Sequence, residues 1–457
     1  MRLAHLLGPD LRDTLAQEPE SLVEALDEFH PEDVAEILDD LDIVDAVALM
    51  RVLPDDYAAD ILERLEPDRQ VDILKHLGAK DSIPVFAEMA PDDRVDLVQD
   101  LPLALSEQLL ELLEEQDPEA AEETRELGTH DEETAGGIMT PDVVALGPET
   151  KVWKAIEEVR RLSREGEVET ISYVYVTAFK GQLVGVLSLR DLILADPSKT
   201  LKDVMRENVV RVEIDADQEY VARTIAKYDL NAVPVVNEHG VLRGVVTVDD
   251  VVDVMVEEAT EDAQKMGGVV PLEEGYFSTG FGEFIWKRAV WLVILFGGQL
   301  LTATVMEKHE MTMATLAGLV VFIPLIIATG GNSGAQSSTL IIRALALGEM
   351  TPSDWTRVLV RELGIGLSIG VVLGGVGFAR AWLVGDDASL QLAITVTLSI
   401  TAVTTLGTTL GSLLPLLIRR LGFDPAVSST PFIASLVDVF GLVVYFAIAQ
   451  TVFSMTF

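Results

Sequence analysis

The sequence contains no cysteine, and this absence removes a large set of functions. Without cysteine the chain forms no disulfide bond, no thiolate metal site and no cysteine-nucleophile active site. A phosphate-binding loop, a histidine-rich cluster and a nucleophile beside a base are also missing, so we expect no enzyme. The N-terminal stretch MRLAHLLGPDLRDT lacks a long apolar core after its basic start. We therefore expect no cleavable secretory signal and a soluble part that stays in the cytosol.

Basic residues are scarce, and their scarcity is confined to one part of the chain. The whole sequence has 75 acidic and 33 basic residues, a net charge of −42. Residues 284–457 hold nine of each, so residues 1–283 carry the entire excess. Salt adaptation or a solvated surface would explain part of this acidity, because Arg outnumbers Lys 22 to 11. Asp250 and Asp253 are three residues apart and would share one face of a helix. Such local clusters of acids are not explained by general acidity.

Long apolar runs occur only in the neutral part. Five runs approach the roughly 20 residues that a membrane-spanning helix needs. They lie at about 289–306, 311–329, 359–383, 390–418 and 432–456. We therefore predict a bundle of five transmembrane helices in a lipid bilayer.

The basic residues between these runs indicate an orientation. If residues 1–288 lie inside, the inner side carries seven basic residues: Lys287, Arg288, Arg343, Arg357, Arg361, Arg419 and Arg420. The outer side carries only Lys308 and Arg380. The positive-inside rule then predicts a cytoplasmic N-terminus and an external C-terminus in the cell membrane.

One acid interrupts the last apolar run, PFIASLVDVFGLVVYFAIAQ (431–450), at Asp438. An intramembrane carboxylate is costly and usually faces a cavity or a partner. Asp438 is therefore a hydrogen-bonded structural residue, a proton relay, or a cation site in a pore. The membrane part offers no cysteine and only His309, so a cation there would have oxygen ligands, which hard ions such as Mg²⁺ prefer.

Two further stretches suggest an ion pathway. In GFDPAVSSTP (422–431), Asp424 precedes a proline as helix-capping residues do. TGGNSGAQSST (329–339) closes the second run, where its glycines permit irregular backbone, and Asn332 and Gln336 would share a helix face. Helix packing is the alternative explanation for this stretch. It is also the alternative for the Thr- and Ser-rich fourth run, whose hydroxyls could otherwise line a wet path.

The acidic part contains two kinds of repeat. Between residues 20 and 130 a proline followed by acids recurs at Pro31, Pro54, Pro67 and Pro91, which predicts short helices stacked in a superhelical repeat domain. Residues 138–262 contain a second duplication, each copy reading strand, helix, strand, turn, strand, helix. The copies end in Ser188–Asp191 and Thr247–Asp250 and resemble a tandem CBS pair.

This order of segments, with TGGNSGAQ and GFDP…SLVD in the spans, resembles the MgtE family of magnesium channels over nearly the whole chain. The implied fold is a multi-domain membrane protein with an all-α superhelical N-domain, an α/β tandem CBS pair, a connecting helix and a five-helix transmembrane bundle. The expected limits are 1–131 for the N-domain, 138–199 and 200–262 for the CBS modules, 263–285 for the connecting helix and 286–457 for the membrane domain.

The resemblance implies a homodimeric Mg²⁺-selective channel that cytosolic Mg²⁺ closes, with no nucleic-acid partner. Asp438 would hold the hydrated pore ion, helped by the carbonyl of Ala434. The remaining pore-side positions would be Asp424, Asn332 and Thr430, the last of which is Asn in many relatives.

The same resemblance places regulatory Mg²⁺ between acidic faces of the soluble modules. The matching positions on the N-domain side are Asp60, Asp92, Asp96 and Gly137. Asp60 is one carbon shorter than the expected Glu. Those on the CBS side are Asp217, Glu219, Ala226, Asp229, Asp250, Asp253, Glu258, Glu261 and Asp262.

An ATP molecule in the CBS pair would contact Tyr173, Arg190, Asp191 and Asp250, although Leu230 replaces an aromatic stacking partner. The main alternative to a channel is a proton- or ion-coupled divalent cation transporter with Asp438 as relay. Another is a nucleotide-sensing membrane protein that transports nothing.

Overall fold

The computed structural model describes residues 23, 26, 29–165, 168, 170–272, 276, 279–315, 317–384 and 389–454. The N-terminal stretch used for the signal-peptide expectation lies outside these residues. Two compact units make up the chain, Met1–Glu257 and Glu258–Phe457. Each unit has hydrophobic cores of its own.

Short helices fill the first part of the first unit and confirm the helical N-domain. Three of them begin at the prolines of the repeated motif, and the helix after Pro54 begins at Asp55. Acids follow in each first turn, where they interact favourably with the helix dipole. The helices are α1 (Pro31–Asp40), α2 (Ile43–Met50), α3 (Asp55–Leu62), α4 (Pro67–Leu77), α5 (Ala79–Glu88), α6 (Pro91–Asp100), α7 (Leu103–Gln116) and α8 (Pro118–Leu127).

These helices stack in two rows, as expected for a repeat domain. In one row α1 packs on α3, α3 on α5 and α5 on α7, while in the other α2 packs on α4, α4 on α6 and α6 on α8. Fully buried side chains such as Ile37, Leu49, Ile61 and Leu74 fill the space between the rows. Each helix thus buries most of its apolar face against its neighbours in the array.

Two copies of one α/β module follow and confirm the predicted order of strands and helices. In each copy a short strand pairs in parallel with the middle strand, which pairs antiparallel with the third. The first copy contains β1 (Ala145–Leu146), α9 (Val152–Glu165), β2 (Tyr173–Thr177), β3 (Leu183–Ser188) and α10 (Leu189–Leu194). After α11 (Leu201–Val204), the second contains β4 (Val212–Glu213), α12 (Gln218–Tyr228), β5 (Ala232–Val236), β6 (Leu242–Thr247) and α13 (Val248–Met266).

The N-domain packs directly on the second copy within the first unit. Val95 and Leu127 share a buried cluster with Met139 and Val221. The chain between the modules also pairs with the start of α12, where Ala135 N donates to Ala216 O over 2.7 Å. Acidic helices of the two modules are therefore held face to face.

The expected connecting helix over 263–285 is wrong in its limits. Helix α13 continues the CBS module as far as Met266, and the next helix begins at Phe281. The break falls at Gly267 and Gly268, the latter at φ 72°, a left-handed conformation that ends a helix and suits glycine. Its consequence is that the helix arriving from the CBS pair stops before the membrane part.

Within the described residues, five helices are long and apolar enough to cross a membrane. This confirms the predicted number of spans. The helices of the second unit are α14 (Phe281–Lys308), α15 (Glu310–Thr315), α16 (Ala317–Val320), α17 (Ile323–Ala346), α18 (Trp355–Val384), α19 (Ser389–Arg420) and α20 (Thr430–Ser454).

The second span lies further along the chain than expected. We predicted 311–329, whereas the spanning segment is Gly318–Ala346. Pro324 stands in the first turn of α17, a position that proline favours, and the helix then runs straight through TGGNSGAQSST. The predicted span ended at this stretch because its small polar residues have low hydropathy. These residues contact neighbouring helices rather than lipid.

Helix α19 lies at the centre of this unit and contacts α17, α18 and α20. Glycines bring α18 close to it: a Cβ added at Gly370 would lie 2.7 Å from Thr401 Cα. Thr401 Oγ1 donates to Gly370 O over 3.0 Å, and Thr397 Oγ1 donates to Gly374 O over 3.2 Å. These bonds support the helix-packing interpretation of threonines in the fourth span.

Candidate functional site

The carboxylate of Asp438 faces a glycine of a neighbouring helix. Asp438 lies two turns into α20 and is half-buried. A Cβ added at Gly331 would lie 3.4 Å from Ala434 Cβ and 3.9 Å from Asp438 Oδ1. Because Gly331 has no side chain, α17 and α20 approach each other closely here, and an added methyl group would already touch Ala434 and Asp438.

No basic side chain neutralises Asp438. Among the described residues, none donates a hydrogen bond to its carboxylate or forms an ion pair with it. A charged group at this depth is stabilised only by a partner, by water or by a bound cation. Within this chain, water or an ion must supply that stabilisation whenever Asp438 is ionised.

The TGGNSGAQ stretch is regular helix, which corrects the expectation of irregular backbone. All of it lies inside α17, and none of its residues has a positive φ. Its glycines face protein: a Cβ added at Gly334 would lie 2.8 Å from Ile433 Cγ2 and 3.0 Å from Gly407 O. Asn332 and Gln336 are exposed on a face that this chain leaves uncovered.

Asp424 stands at the turn that leads into α20. Its Oδ1 accepts a hydrogen bond from Ala426 N over 2.8 Å and caps the 3-10 turn Pro425–Val427, as its spacing predicted. Its Oδ2 accepts a bond from Lys265 Nζ over 2.8 Å, and Lys265 also pairs with Glu261 Oε1 at 2.6 Å. Lys265 therefore joins an acid expected at the pore to an acid expected at a regulatory site.

Burial and ion pairing act in opposite directions on Lys265. Burial lowers the pKa of its ammonium, but the hydrogen bonds to Asp424 and Glu261 raise that pKa above its ordinary value. The ammonium group therefore stays charged.

Thr430, another position expected at the pore, begins α20 just after the turn that Asp424 caps.

A second carboxylate in the membrane part, Glu362, was missed by our sequence analysis. Glu362 is buried on the glycine face of α18, where Ser337 Oγ of α17 donates to its Oε2 over 2.8 Å. Thr408 Oγ1 of α19 donates to its backbone carbonyl over 3.3 Å. The four-residue spacing of Val358, Glu362 and Gly366 on one helix face was a usable signal.

In the first unit, acids of the N-domain face acids of α13. Burial raises the pKa of Asp96, and Glu132, Asp100, Asp250 and Glu257 raise it further, although the side chain keeps contact with water. Burial also raises the pKa of Asp250, while its hydrogen bonds from Thr247 lower it. Acids of the N-domain and of α13 therefore repel one another across this crevice, and divalent cations reduce repulsion of this kind.

The start of α12 lies beside the Gly137 segment. Asp217 caps α12 by accepting from Glu219 N over 3.0 Å, and it bridges to Thr134, three residues before Gly137. Glu219 pairs with Arg223 one turn later. Asp92 is buried in the first turn of α6. The exposed positions are Asp60, Ala226, Asp229 and Asp253, and the partly buried ones are Glu258, Glu261 and Asp262.

The regulatory positions do not close around an ion in this chain. Across the described ranges, no group of three or more His, Asp or Glu side chains converges closely enough to hold a metal. Asp60 is exposed on α3, where Arg64 binds its backbone carbonyl. Asp96 of the N-domain nevertheless lies close enough to Asp250 and Glu257 for their charges to raise its pKa.

The nucleotide positions meet at one end of the CBS sheets. Tyr173 pairs across strands with Ser188, just before Arg190 and Asp191. The Tyr173 hydroxyl accepts from Asn231 N over 3.4 Å, and Asn231 O accepts from Val248 N, near Asp250. Arg206 binds Asp191 Oδ2 at 3.1 Å.

Three family models match successive parts of the chain. The MgtE model, described as a divalent cation transporter, matches residues 323–448. The MgtE intracellular N domain matches 29–133, and the CBS domain matches 135–198 and 201–257. The magnesium transporter MgtE of Thermus thermophilus is 41% identical over 336 residues, 73% of each chain. This chain belongs to the MgtE family.

Further similarities cover both parts of this MgtE chain. The magnesium transporter MgtE of Enterococcus faecalis is 37% identical over 333 residues, 73% of this chain and 72% of that one. A crystal structure of the cytosolic domain of the Mg²⁺ channel MgtE in complex with ATP has a TM-score of 0.51 and 39% identity, and covers 55% of this chain and 100% of its own. A crystal structure of the soluble part of a magnesium transporter has a TM-score of 0.52 and 34% identity, and the match covers 56% of this chain and 99% of that one.

The family match includes most of the membrane residues discussed above. The MgtE model spans Asn332, Glu362, Asp424 and Asp438, whereas Lys265 precedes it. Lys265 and Glu362 are thus additions from the structure: one is a cation between two expected ion ligands, the other an acid that pairs helices.

Proposed function

We propose that this MgtE chain is a Mg²⁺-selective channel for magnesium uptake. The observation that carries the proposal is Asp438, a half-buried carboxylate at membrane depth that faces Gly331 and has no basic partner in the described residues. Mg²⁺ loses its bound waters reluctantly and usually keeps several of them. A single carboxylate with nearby carbonyls, such as that of Ala434, therefore suffices to hold the hydrated ion. Membership of a family of divalent cation transporters supports this assignment.

We propose that two copies form the channel. Asn332 and Gln336 are exposed in α17 on a face that one chain leaves uncovered, and a second copy would cover it. Two-fold symmetry would then place two Asp438 carboxylates around one axis, with Thr430 and Asp424 nearer the inner entrance. The Lys and Arg bias supports a cell-membrane protein with its soluble domains in the cytoplasm and its C-terminus outside.

We propose that cytosolic Mg²⁺ closes the channel. Asp96 and Asp250 belong to different modules, and the charge of Asp250 helps to raise the pKa of Asp96, so an ion between them favours the packed arrangement. Loss of that ion would loosen the N-domain from α13. An effector shifts a population in this way only if it binds one state better than the other.

We also propose that the CBS pair binds ATP. A solved MgtE cytosolic domain was crystallised with ATP, and the matching residues Tyr173, Arg190 and Asp191 lie together here. Leu230 offers no aromatic face for the base. ATP should raise the melting temperature of the protein, and Arg190→Ala should abolish that rise.

Ion flux into liposomes that contain the purified protein tests the main proposal. Mg²⁺ should enter with a current that persists after an ionophore has collapsed the proton gradient, and Asp438→Asn should remove it. Flux that stops with the gradient would instead identify a proton-coupled transporter. Liposomes that take up no Mg²⁺ at any internal concentration would contradict both.

A further inference from the structure

The turn before α20 holds the end of α13 by charge. Lys265 Nζ lies 2.8 Å from Asp424 Oδ2 and 2.6 Å from Glu261 Oε1, and its side chain is only 22% exposed. Asp424 is fixed in turn by capping Ala426 N. One ammonium group therefore bridges the last turn of α13 and the entry turn of α20.

Other contacts hold the chain beyond Lys265 against the same region. A Cβ added at Gly268 would lie 3.4 Å from both Ser429 Oγ and Pro431 Cγ. Val270 N donates to Lys287 O over 3.2 Å, and Leu272 N donates to Gln264 Oε1 over 2.7 Å. Breaking the Lys265 bridge would remove a charged link from the contacts that hold this segment.

The ammonium group occupies the position between two carboxylates that a divalent ion would need. Ammonium donates hydrogen bonds in several directions, so it satisfies both acids without an ion. A Mg²⁺ ion added beside it would place like charges a few ångströms apart, where repulsion is strong at a partly buried site. Lys265 and a divalent ion therefore exclude each other between Glu261 and Asp424.

We propose that Lys265 is a built-in cation that docks the end of α13 on the entry turn of α20 without a divalent ion. The inference rests on the proposed function, in which cytosolic Mg²⁺ closes the channel by holding the N-domain against α13. It implies that Mg²⁺ acts on the gate through the acids between the N-domain and α13, while Asp424 already has a cationic partner within the chain.

The absence of cysteine allows a direct test in the full-length protein. In the double variant Gly268→Cys, Ser429→Cys, oxidation should form a disulfide within one chain while the contact is docked. The strain of a cysteine at the left-handed position 268 is common to every variant compared, because all of them carry this cysteine pair. With Lys265 present, we expect the same cross-linking rate in excess chelator as in Mg²⁺. Lys265→Gln should slow the reaction in chelator by about tenfold, the size of effect that a lost charged hydrogen bond produces.

Matched variants separate charge from packing. Lys265→Arg keeps the charge and should retain the fast rate, and Lys202→Gln removes an exposed lysine on α11 and should change nothing. A second measurement needs no cysteine: in chelator, hydrogen exchange at the amides of Val270 and Leu272 should speed up in Lys265→Gln alone.

Two results would overturn the inference. One is an equal cross-linking and exchange rate for Lys265→Gln and wild type in chelator. The other is a wild-type rate that rises several-fold when Mg²⁺ is added, since the docked contact would then depend on the ion. Both measurements report docking and not transport. Liposomes that take up no Mg²⁺ would therefore contradict the proposed function without changing the outcome of this test.

Discussion

Two carboxylates in the membrane part differ in their surroundings. Asp438 is half-buried, has no donor among the described residues and faces Gly331. Glu362 is buried and receives a hydrogen bond from Ser337. The first arrangement leaves the carboxylate available to water or an ion, whereas the second joins two helices.

Replacing Asp438 by Asn should lower Mg²⁺ flux by about tenfold or more, because the only uncompensated intramembrane charge beside Gly331 is lost. Flux into liposomes is the measurement. The melting temperature should change little, since removing a buried charge relieves its desolvation. Glu349→Gln, at an exposed position, serves as the control and should conduct normally. Wild-type flux through Asp438→Asn would refute the pore assignment.

Replacing Ser337 by Ala should destabilise the protein by about 1–3 kcal/mol, because the Glu362 carboxylate stays buried and loses its donor. Thermal unfolding in detergent measures this loss. Ser368→Ala is the matched control, because that hydroxyl is exposed and bonds only to Gly364 of its own helix. Equal melting temperatures for the two variants would show that the Ser337 bond contributes nothing.

At the scale of helices, glycines decide how closely α18 and α19 approach. A Cβ added at Gly370 would lie 2.7 Å from Thr401 Cα, whereas one added at Gly375 would meet nothing within 4 Å. Close backbone approach also lets Thr401 reach the carbonyl of Gly370. The same residue type therefore serves packing at one position and has no such role five residues later.

Gly370→Ala should lower stability by about 1–3 kcal/mol, because the methyl group forces the helices apart. Gly375→Ala should be neutral or slightly stabilising, since alanine favours helix over glycine by up to about 1 kcal/mol. Thermal unfolding of both variants in the same detergent compares them. A loss of equal size at both positions would contradict the close approach at Gly370.

At the scale of the whole molecule, charge repulsion links the soluble modules to the ion. The first 283 residues carry the full excess of 42 negative charges, and those on α6 and α13 face each other. Protons and divalent cations both reduce this repulsion. The packed arrangement of N-domain and CBS pair should therefore respond to either.

The packed arrangement should loosen as pH rises when no divalent ion is present. Burial and acids of both modules raise the pKa of Asp96, so the stabilisation from packing is complete at low pH and is lost as pH rises through that raised value. Protease cleavage between α8 and β1 in chelator should be faster at about pH 8 than at about pH 5. Asp96→Asn with Asp250→Asn should flatten this dependence. Cleavage that is equally fast at both pH values in wild type would contradict it.

Deleting residues 1–130 should weaken closure by Mg²⁺, because the deletion removes α6 and with it one face of the acidic crevice. Currents recorded at increasing internal Mg²⁺ should fall less steeply in the truncated protein. Unchanged inhibition would show that the ion acts elsewhere.

The sequence by itself determined the domain order, the number of spans and the position of Asp438. These follow from local signals: prolines before acids at Pro31, Pro67 and Pro91, apolar length, and one charge in an apolar run. The predicted limits of the second span were wrong because the small polar residues inside α17 resemble a loop in composition. The predicted limits of the connecting helix were wrong because two glycines after Met266 end α13 there.

Only the tertiary structure decided which residues meet. Lys265 and Asp424 are 159 residues apart, and Ser337 and Glu362 are 25 apart, yet each pair is in hydrogen-bond contact. Periodicity places a residue on a face of its own helix but carries no information about which helix covers that face. That choice depends on packing between glycine-lined surfaces and on pairing of buried charge, and both are settled only when distant segments come together.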